Sequence, residues 1–399
     1  MTSHAKFSIP SLDGLRAVSI LLVFVGHADR LPQPVVPGVG VTIFFFLSGY
    51  LITTLLRLEF DKSERISLRN FYLRRVLKII PPMYAVIILG VIVTAIGLVP
   101  SALSVGGVSA TALHFANYWM IFVDDGIPKS MRVMWSLAVE EHFYLVFPLL
   151  YIGLRKWSKS KWVQAGVLAA ICVVVLGWRT YLWVVQGVDF EHIYYATDTR
   201  VDSILWGCIL AIVANPYLDK AWAPDWFWKI IAAPVGLISV YAGTRGYNLA
   251  PTIGYTMQAL GLVLVFTAVI RFPTFGPFRI LNWRPIVWLG VISYSFYLVH
   301  RYFILWTDEN LTINKWVAAL VAFVMATAAA WLLHRFVERP AAKIRGRLRR
   351  VGEKTEDERV ESTESSPLQR GRMDRIRPVP AHGTVRRDSA TEGGAHRLP

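Results

Sequence analysis

Cysteine is nearly absent from this 399-residue chain: only Cys172 and Cys208 occur, both inside apolar runs. That excludes a disulfide framework and a paired-cysteine metal site, and two such thiols read as small buried hydrophobes. No His-Glu-x-x-His occurs and the nine histidines are scattered, so no zinc motif is legible. No Gly-x-x-x-x-Gly-Lys phosphate loop is present either. Neither an internal repeat nor a small-residue cleavage site after the first apolar stretch can be found. The first absence disfavours the paired halves of many transporters. The second makes the amino-terminal stretch a retained span rather than a signal peptide.

Apolar sequence fills the space these absences leave. Hydrophobic residues make up 54% of the chain and charged ones only 17%, a composition too apolar for an ordinary soluble protein. Segments able to cross a hydrocarbon core fall near 12–29, 38–56, 79–99, 134–153, 163–185, 201–214, 229–243, 253–270, 285–305 and 315–334. The expected fold is therefore all-α, a polytopic membrane bundle of about ten helices, with 103–122 a further semi-apolar stretch in the interface. The net charge of +15 does not point to nucleic acid, because the basic residues fill alternate connections: Arg57 to Lys78, Arg155 to Lys161, and Arg271 to Arg284. By the positive-inside tendency these connections and both termini are cytoplasmic. Residues 341–399, rich in Arg, Glu, Ser and Gly, read as a disordered basic cytoplasmic tail after a membrane domain at 1–340. Its first arginines and lysine suit anionic head groups or a plain stop-transfer flank.

Several spans carry polar residues whose burial needs a reason. Arg16 and His27 lie eleven residues apart in the first span, on nearly one face and roughly 16 Å apart along the axis. An ionisable residue inside a membrane is a functional candidate by default. Ser48-Gly49-Tyr50 follows an aromatic run, where small residues also serve close helix packing. Glu140 and Glu141 are adjacent and so point about 100° apart; an interfacial pair in water is the plainer alternative. Asp198-Thr199-Arg200-Val201-Asp202 alternates charges, which self-pairing at a helix mouth would also explain. Tyr297 and His300 share one face near a membrane edge, where such residues can be simple anchors.

Leu12-Asp13-Gly14-Leu15-Arg16-Ala17, the Arg16/His27 spacing, Phe45-Phe46-Leu47-Ser48-Gly49-Tyr50-Leu51-Ile52, Arg74-Arg75 before Pro81, Trp135-Ser136-Leu137 with Glu140, Ser293-Tyr294 with Tyr297 and His300, and Glu338-Arg339-Pro340 stand in this order. Together, over about residues 9–340, they resemble the acyltransferase 3 family of integral membrane O-acyltransferases. The resemblance implies a multi-pass enzyme of the bacterial inner membrane that moves an acyl group, commonly acetyl, from acyl-CoA to a hydroxyl of a carbohydrate, a cell-envelope glycan or a glycosylated secondary metabolite. Acyl-CoA is then a co-substrate and no cofactor is tightly bound. By the same resemblance His27 is the catalytic histidine with Arg16 its partner, and Arg74 and Arg75 belong to an acyl-CoA-binding arginine motif. Lys78 stands where a further arginine is usual, and Arg301-Tyr302 follow His300 where Trp-Pro is frequent. Glu140 would orient His27 or stabilise its charged form, Ser48 or a backbone N–H near Gly49 would serve the oxyanion, and Tyr297 and His300 the acceptor cavity. A proton-coupled transporter using Arg16, His27, Glu140 and Asp202, or a membrane sensor with the tail as its output, would use the same residues.

Overall fold

A computed structural model describes residues 9–28, 38–99, 101–246, 249–344 and 346. The helices below belong to the unit Met1–Arg345; the tail expected after residue 340 lies almost wholly outside the described residues. Among the described residues there are helices and no strands. They are α1 (Leu12–His27), α2 (Gly38–Ser63), α3 (Leu68–Ala95), α4 (Val105–Ala112), α5 (Ala116–Phe122), α6 (Trp135–Trp157), α7 (Lys161–Val184), α8 (Phe190–Tyr195), α9 (Thr197–Val213), α10 (Ala233–Ala242), α11 (Tyr255–Arg271), α12 (Arg284–Val291), α13 (Ser293–Asn310) and α14 (Lys315–Leu333). π-helical turns lead into α10 and α11, and another, His334–Glu338, leads out of α14.

Among the described residues six helical stretches are long and apolar enough to cross a membrane: Gly38–Ser63, Leu68–Ala95, Arg132–Trp157, Lys161–Val184, Ala250–Arg271 and Lys315–Ile344. The chain has the make-up of a multi-pass membrane protein. α1 and α9 are shorter, and α13 carries Arg301, Asp308 and Glu309, so these do not qualify on length and apolarity alone. The single span expected over 285–305 is two helices, α12 and α13, separated at Ile292. The basic stretch expected as a connection is mostly helix. α2 runs on to Ser63 and α3 starts at Leu68, where the Ser67 side chain accepts from the Asn70 N–H. Arg, Lys and Glu are good helix formers, so the helix does not stop where apolar sequence does. The stretch 103–122 folds as α4 and α5, joined through His114 at φ 61°.

Small residues bring the helices together, as they must where apolar burial alone gives no preference for protein over lipid. A Cβ on Gly49 would run into the Ile204 carbonyl, and one on Gly207 into the Phe46 carbonyl, so α2 and α9 touch backbone to backbone. On α14, Ala318, Ala322, Ala326 and Ala330 form a buried stripe one turn apart, and this helix packs along α13. α2 and α11 are mostly interior, whereas α7 and α14 turn most of their surface outward. Val173, Val174, Leu320 and Val324 are exposed there, as a lipid-facing side requires. Both cysteines are buried and unpaired.

Candidate active site

A cavity of about 110 Å³ lies among α1, α2, α3, α6, α13 and the turn His334–Glu338. Arg16, Arg75 and Lys78 reach it, and so do Glu140, Glu141 and Glu338, with Leu47, Leu51 and Ile52 of α2 as apolar wall. Charges this deep demand partners or a function, so their partners decide the reading.

One group is joined by hydrogen bonds. Glu140 and Tyr144 are one turn apart on α6, and the Tyr144 hydroxyl donates to Glu140 Oε2 at 2.7 Å. Ser48 Oγ lies 3.0 Å from the same phenol. The Arg75 guanidinium sits over the Tyr144 ring, 4.9 Å from its centroid, a cation–π contact. Arg75 has no hydrogen bond among the described residues, and Glu141 Oε1 is buried with no hydrogen-bond partner. Arg74 instead pairs with Glu59 at 2.9 Å and does not line the cavity. Arg16 meets Asp13 one turn back at 3.4 Å. On the α13 side, Tyr297 donates to the Val133 carbonyl at 2.6 Å and lies 2.7 Å from Ser136 Oγ. Glu338 binds Ser295 Oγ, and its other oxygen lies 2.8 Å from His334 Nδ1.

The opposite end of α1 carries different chemistry. His27 Nδ1 is 3.1 Å from His300 Nε2, and His300 Nδ1 is 2.7 Å from the Tyr297 carbonyl. Arg301 donates to the His27 carbonyl at 2.6 Å, satisfying a carbonyl that the helix end leaves open. Tyr302 reaches the Val86 carbonyl at 3.4 Å, its hydroxyl filling the space beside Gly90. The two residues that depart from the usual Trp-Pro thus tie α13 to α1 and α3.

Of the residues singled out from sequence, Arg16, Ser48, Arg75, Lys78, Glu140 and Tyr297 line one cavity, while His27 and His300 form a pair at the far end of α1. Glu140 bonds Tyr144 rather than His27. Tyr297 belongs to both places, its phenol in the cavity and its carbonyl on His300. Glu141 was noted only as the neighbour of Glu140, pointing about 100° away, yet both line the cavity; Tyr144 and Glu338 were given no role, and the i,i+4 spacing from Glu140 was the available signal for Tyr144.

Asp202 does not form its ion pair with Arg200, the nearby charge in its own run. It meets Arg179 of α7 at 3.0 Å, both side chains fully buried. Arg200 is fully buried too, 3.8 Å from the Tyr255 ring centroid and 5.2 Å from that of Tyr194. It donates to Thr42 Oγ1 at 3.1 Å, while its Nε and Nη1 find no hydrogen-bond partner.

The sequence model of the acyltransferase domain family matches residues 9–335. The chain is 31% identical over 364 residues to the peptidoglycan O-acetyltransferase OatA of Listeria monocytogenes, covering 86% of this chain and 57% of that protein. It is 30% identical over 358 residues to a putative peptidoglycan O-acetyltransferase, YrhL, of Bacillus subtilis, covering 85% and 55%. A putative O-acetyltransferase of Staphylococcus aureus is 28% identical over 354 residues, covering 84% and 57%. The chain thus spans little more than half the length of these curated relatives. No solved structure matches it.

Proposed function

The chain belongs to this acyltransferase domain family, and from that premise we propose that it is an integral membrane O-acyltransferase using acyl-CoA, acetyl-CoA in the simplest case. The acceptor is a hydroxyl of a carbohydrate, a cell-envelope glycan or a glycosylated small molecule. Peptidoglycan, named for two of the relatives, is the first to test. The reading is carried by α1, which joins a cavity holding Arg16, Arg75 and Lys78 to a histidine pair at its other end, with Tyr297 reaching both.

The cavity is far smaller than a whole coenzyme, so it would take the slim thioester arm while the nucleotide stays at its mouth on the cytoplasmic side. Arg75 carries free guanidinium donors, whose fork matches phosphate. Lys78 adds a point charge, and Arg74 would contribute by exchanging Glu59 for a phosphate. The carboxylates Glu140, Glu141 and Glu338 oppose a free polyanion deep inside, which favours the arm over the phosphates there.

In the reaction, neutral His27 takes the proton of the acceptor hydroxyl as its oxygen attacks the thioester carbonyl carbon. Ser48, held against Tyr144 and Glu140 in the cavity with Arg16, lies away from the histidine pair and would hold the donor's arm there rather than the oxyanion formed at His27. The C–S bond then breaks, the ester leaves, and the thiolate takes the proton back from His27 to give free CoA. A histidine suits this role because a neutral imidazole offers one ring nitrogen as an accepting lone pair while the other donates.

Protein reconstituted in nanodiscs and supplied with radiolabelled acetyl-CoA and glycan acceptors should release CoA only when an acceptor is present. His27→Ala should lower this turnover by at least about 10²-fold while the protein stays folded. Near wild-type turnover in that variant would remove His27 as the base. Acceptor-independent substrate uptake without CoA release would favour a transporter.

A further inference from the structure

We propose that His300 is a positioning residue that fixes the tautomer of His27 and so leaves His27 Nε2 as the atom that takes the acceptor proton; this rests on the reading of His27 as the base. A carbonyl oxygen only accepts, so the 2.7 Å contact between His300 Nδ1 and the Tyr297 carbonyl places the His300 ring proton on Nδ1. A neutral imidazole has one such proton. His300 Nε2 is then a bare lone pair, and His27 Nδ1, 3.1 Å away, is the donor to it. His27 therefore carries its own proton on Nδ1 and presents an open lone pair at Nε2.

The surroundings hold this arrangement from α13. The Phe296 ring is stacked nearly parallel to His300, 11° between planes and 6.1 Å between centroids. Arg301, the next residue, grips the His27 carbonyl. His300 is fully buried, whereas His27 is half-buried, so the pair has an inner member for orientation and an outer one for chemistry. Among the described residues no carboxylate hydrogen-bonds to either ring, so the orienting acceptor is a neutral imidazole in the place a carboxylate takes in other catalytic histidine sites. When Nε2 takes a proton, the Nδ1–H bond to His300 persists and stabilises the imidazolium. His300 cannot release its own Nδ1 proton into a carbonyl, so it supplies no proton to the reaction and acts by orienting His27. The Val23 carbonyl one turn back also interacts with the His27 ring, which is the competing way to hold it.

The test compares His300→Leu with His300→Gln in the full-length protein in nanodiscs. Leucine removes the acceptor, while glutamine can offer its amide oxygen to the His27 Nδ1–H. His300→Leu is expected to lower kcat about 10²-fold with KM for acetyl-CoA unchanged, and His300→Gln to recover most of the loss. Turnover of His300→Leu within twofold of wild type, alongside an inactive His27→Ala, would overturn the proposal and leave the base reading standing. Equal losses in both His300 variants at equal thermal stability would also overturn it. An active His27→Ala would remove both. A second measurement needs no His300 variant and so does not depend on how such a variant folds: ¹⁵N-histidine spectra of the wild type, with His27 assigned by its loss in His27→Ala. A signal with the proton on Nδ1 supports the proposal, and one with the proton on Nε2 overturns it.

Discussion

Arg179 and Arg75 are both arginines on apolar helices, each beside a tyrosine ring and within reach of carboxylates, and they differ in how many of their donors are already used. Arg179 is closed. Its Nε donates to the Thr252 carbonyl at 2.9 Å, Nη1 to the Thr199 carbonyl at 2.6 Å and to both Asp202 oxygens, and Nη2 to Thr256 Oγ1 at 2.9 Å. Asp202 in turn accepts from Thr256 and from the Ser203 N–H. Arg75 keeps ring contacts with Phe71 and Tyr144 and has no hydrogen bond among the described residues. A charge whose every donor is matched inside the fold holds helices together; a charge whose donors face a cavity is available to a ligand. Arg200 stands between them, with one hydrogen bond and aromatic faces taking the place of the rest.

The largest effect that would break this comparison is loss of the fold itself. Arg179→Met leaves the Asp202 carboxylate buried and uncompensated, expected to destabilise by about 3–5 kcal/mol; the yield of monodisperse protein in detergent and its melting temperature read this out. Arg179→Met with Asp202→Leu should recover much of the loss. A single variant as stable as wild type would mean that the seam between α7, α9 and α11 does not depend on its ion pair.

Arg75→Ala should act differently. If its open donors hold the coenzyme, KM for acetyl-CoA rises about tenfold, with kcat and melting temperature little changed, as expected for uniform donor binding. Unchanged KM with lowered stability would make Arg75 a second Arg179.

A smaller effect concerns Asp219, in the loop after α9, which is closed onto Arg57 by two hydrogen bonds of 2.6 and 2.9 Å. Burial pushes the Asp219 carboxyl up, but the Arg57 guanidinium and the Asn215 N–H outweigh it, and the group sits below the ordinary carboxylate range. A lowered folded-state pKa contributes stability that is present above about pH 4 and is lost as pH falls through the folded value. Asp219→Asn should therefore flatten the acid limb of a melting-temperature profile and leave turnover at neutral pH unchanged. An acid limb identical to wild type would show that this pair, partly open to water, contributes nothing measurable.

Legibility from sequence followed distance along the chain. Apolar runs located the helices at most of the expected positions, because hydropathy and helix propensity are local. The break at Ile292 and the helical continuation through Arg69 to Lys78 escaped, since neither changes the apolar pattern that marks a span. Arg16, Ser48, Arg75, Lys78, Glu140 and Tyr297 were each visible as polar residues out of place in apolar surroundings. Glu338 stood in a recognised motif, yet nothing local pointed it into the same cavity.

The sequence by itself determined that this is an all-helical, multi-pass chain of the acyltransferase domain family, because apolar segment length and ordered motifs survive without coordinates. It also determined that Arg16 and His27 occupy opposite ends of one helix. Only the tertiary structure decided their partners. His27 meets His300 across a separation of 273 residues, Glu140 turns to Tyr144 and Ser48, and Asp202 reaches Arg179 on another helix instead of the arginine two residues before it. The physical reason is that helix packing depends on backbone approach at Gly49, Gly207 and the α14 alanine stripe. That approach sets which side chains face each other, and a hydrogen bond forms only where two such faces come within about 3 Å.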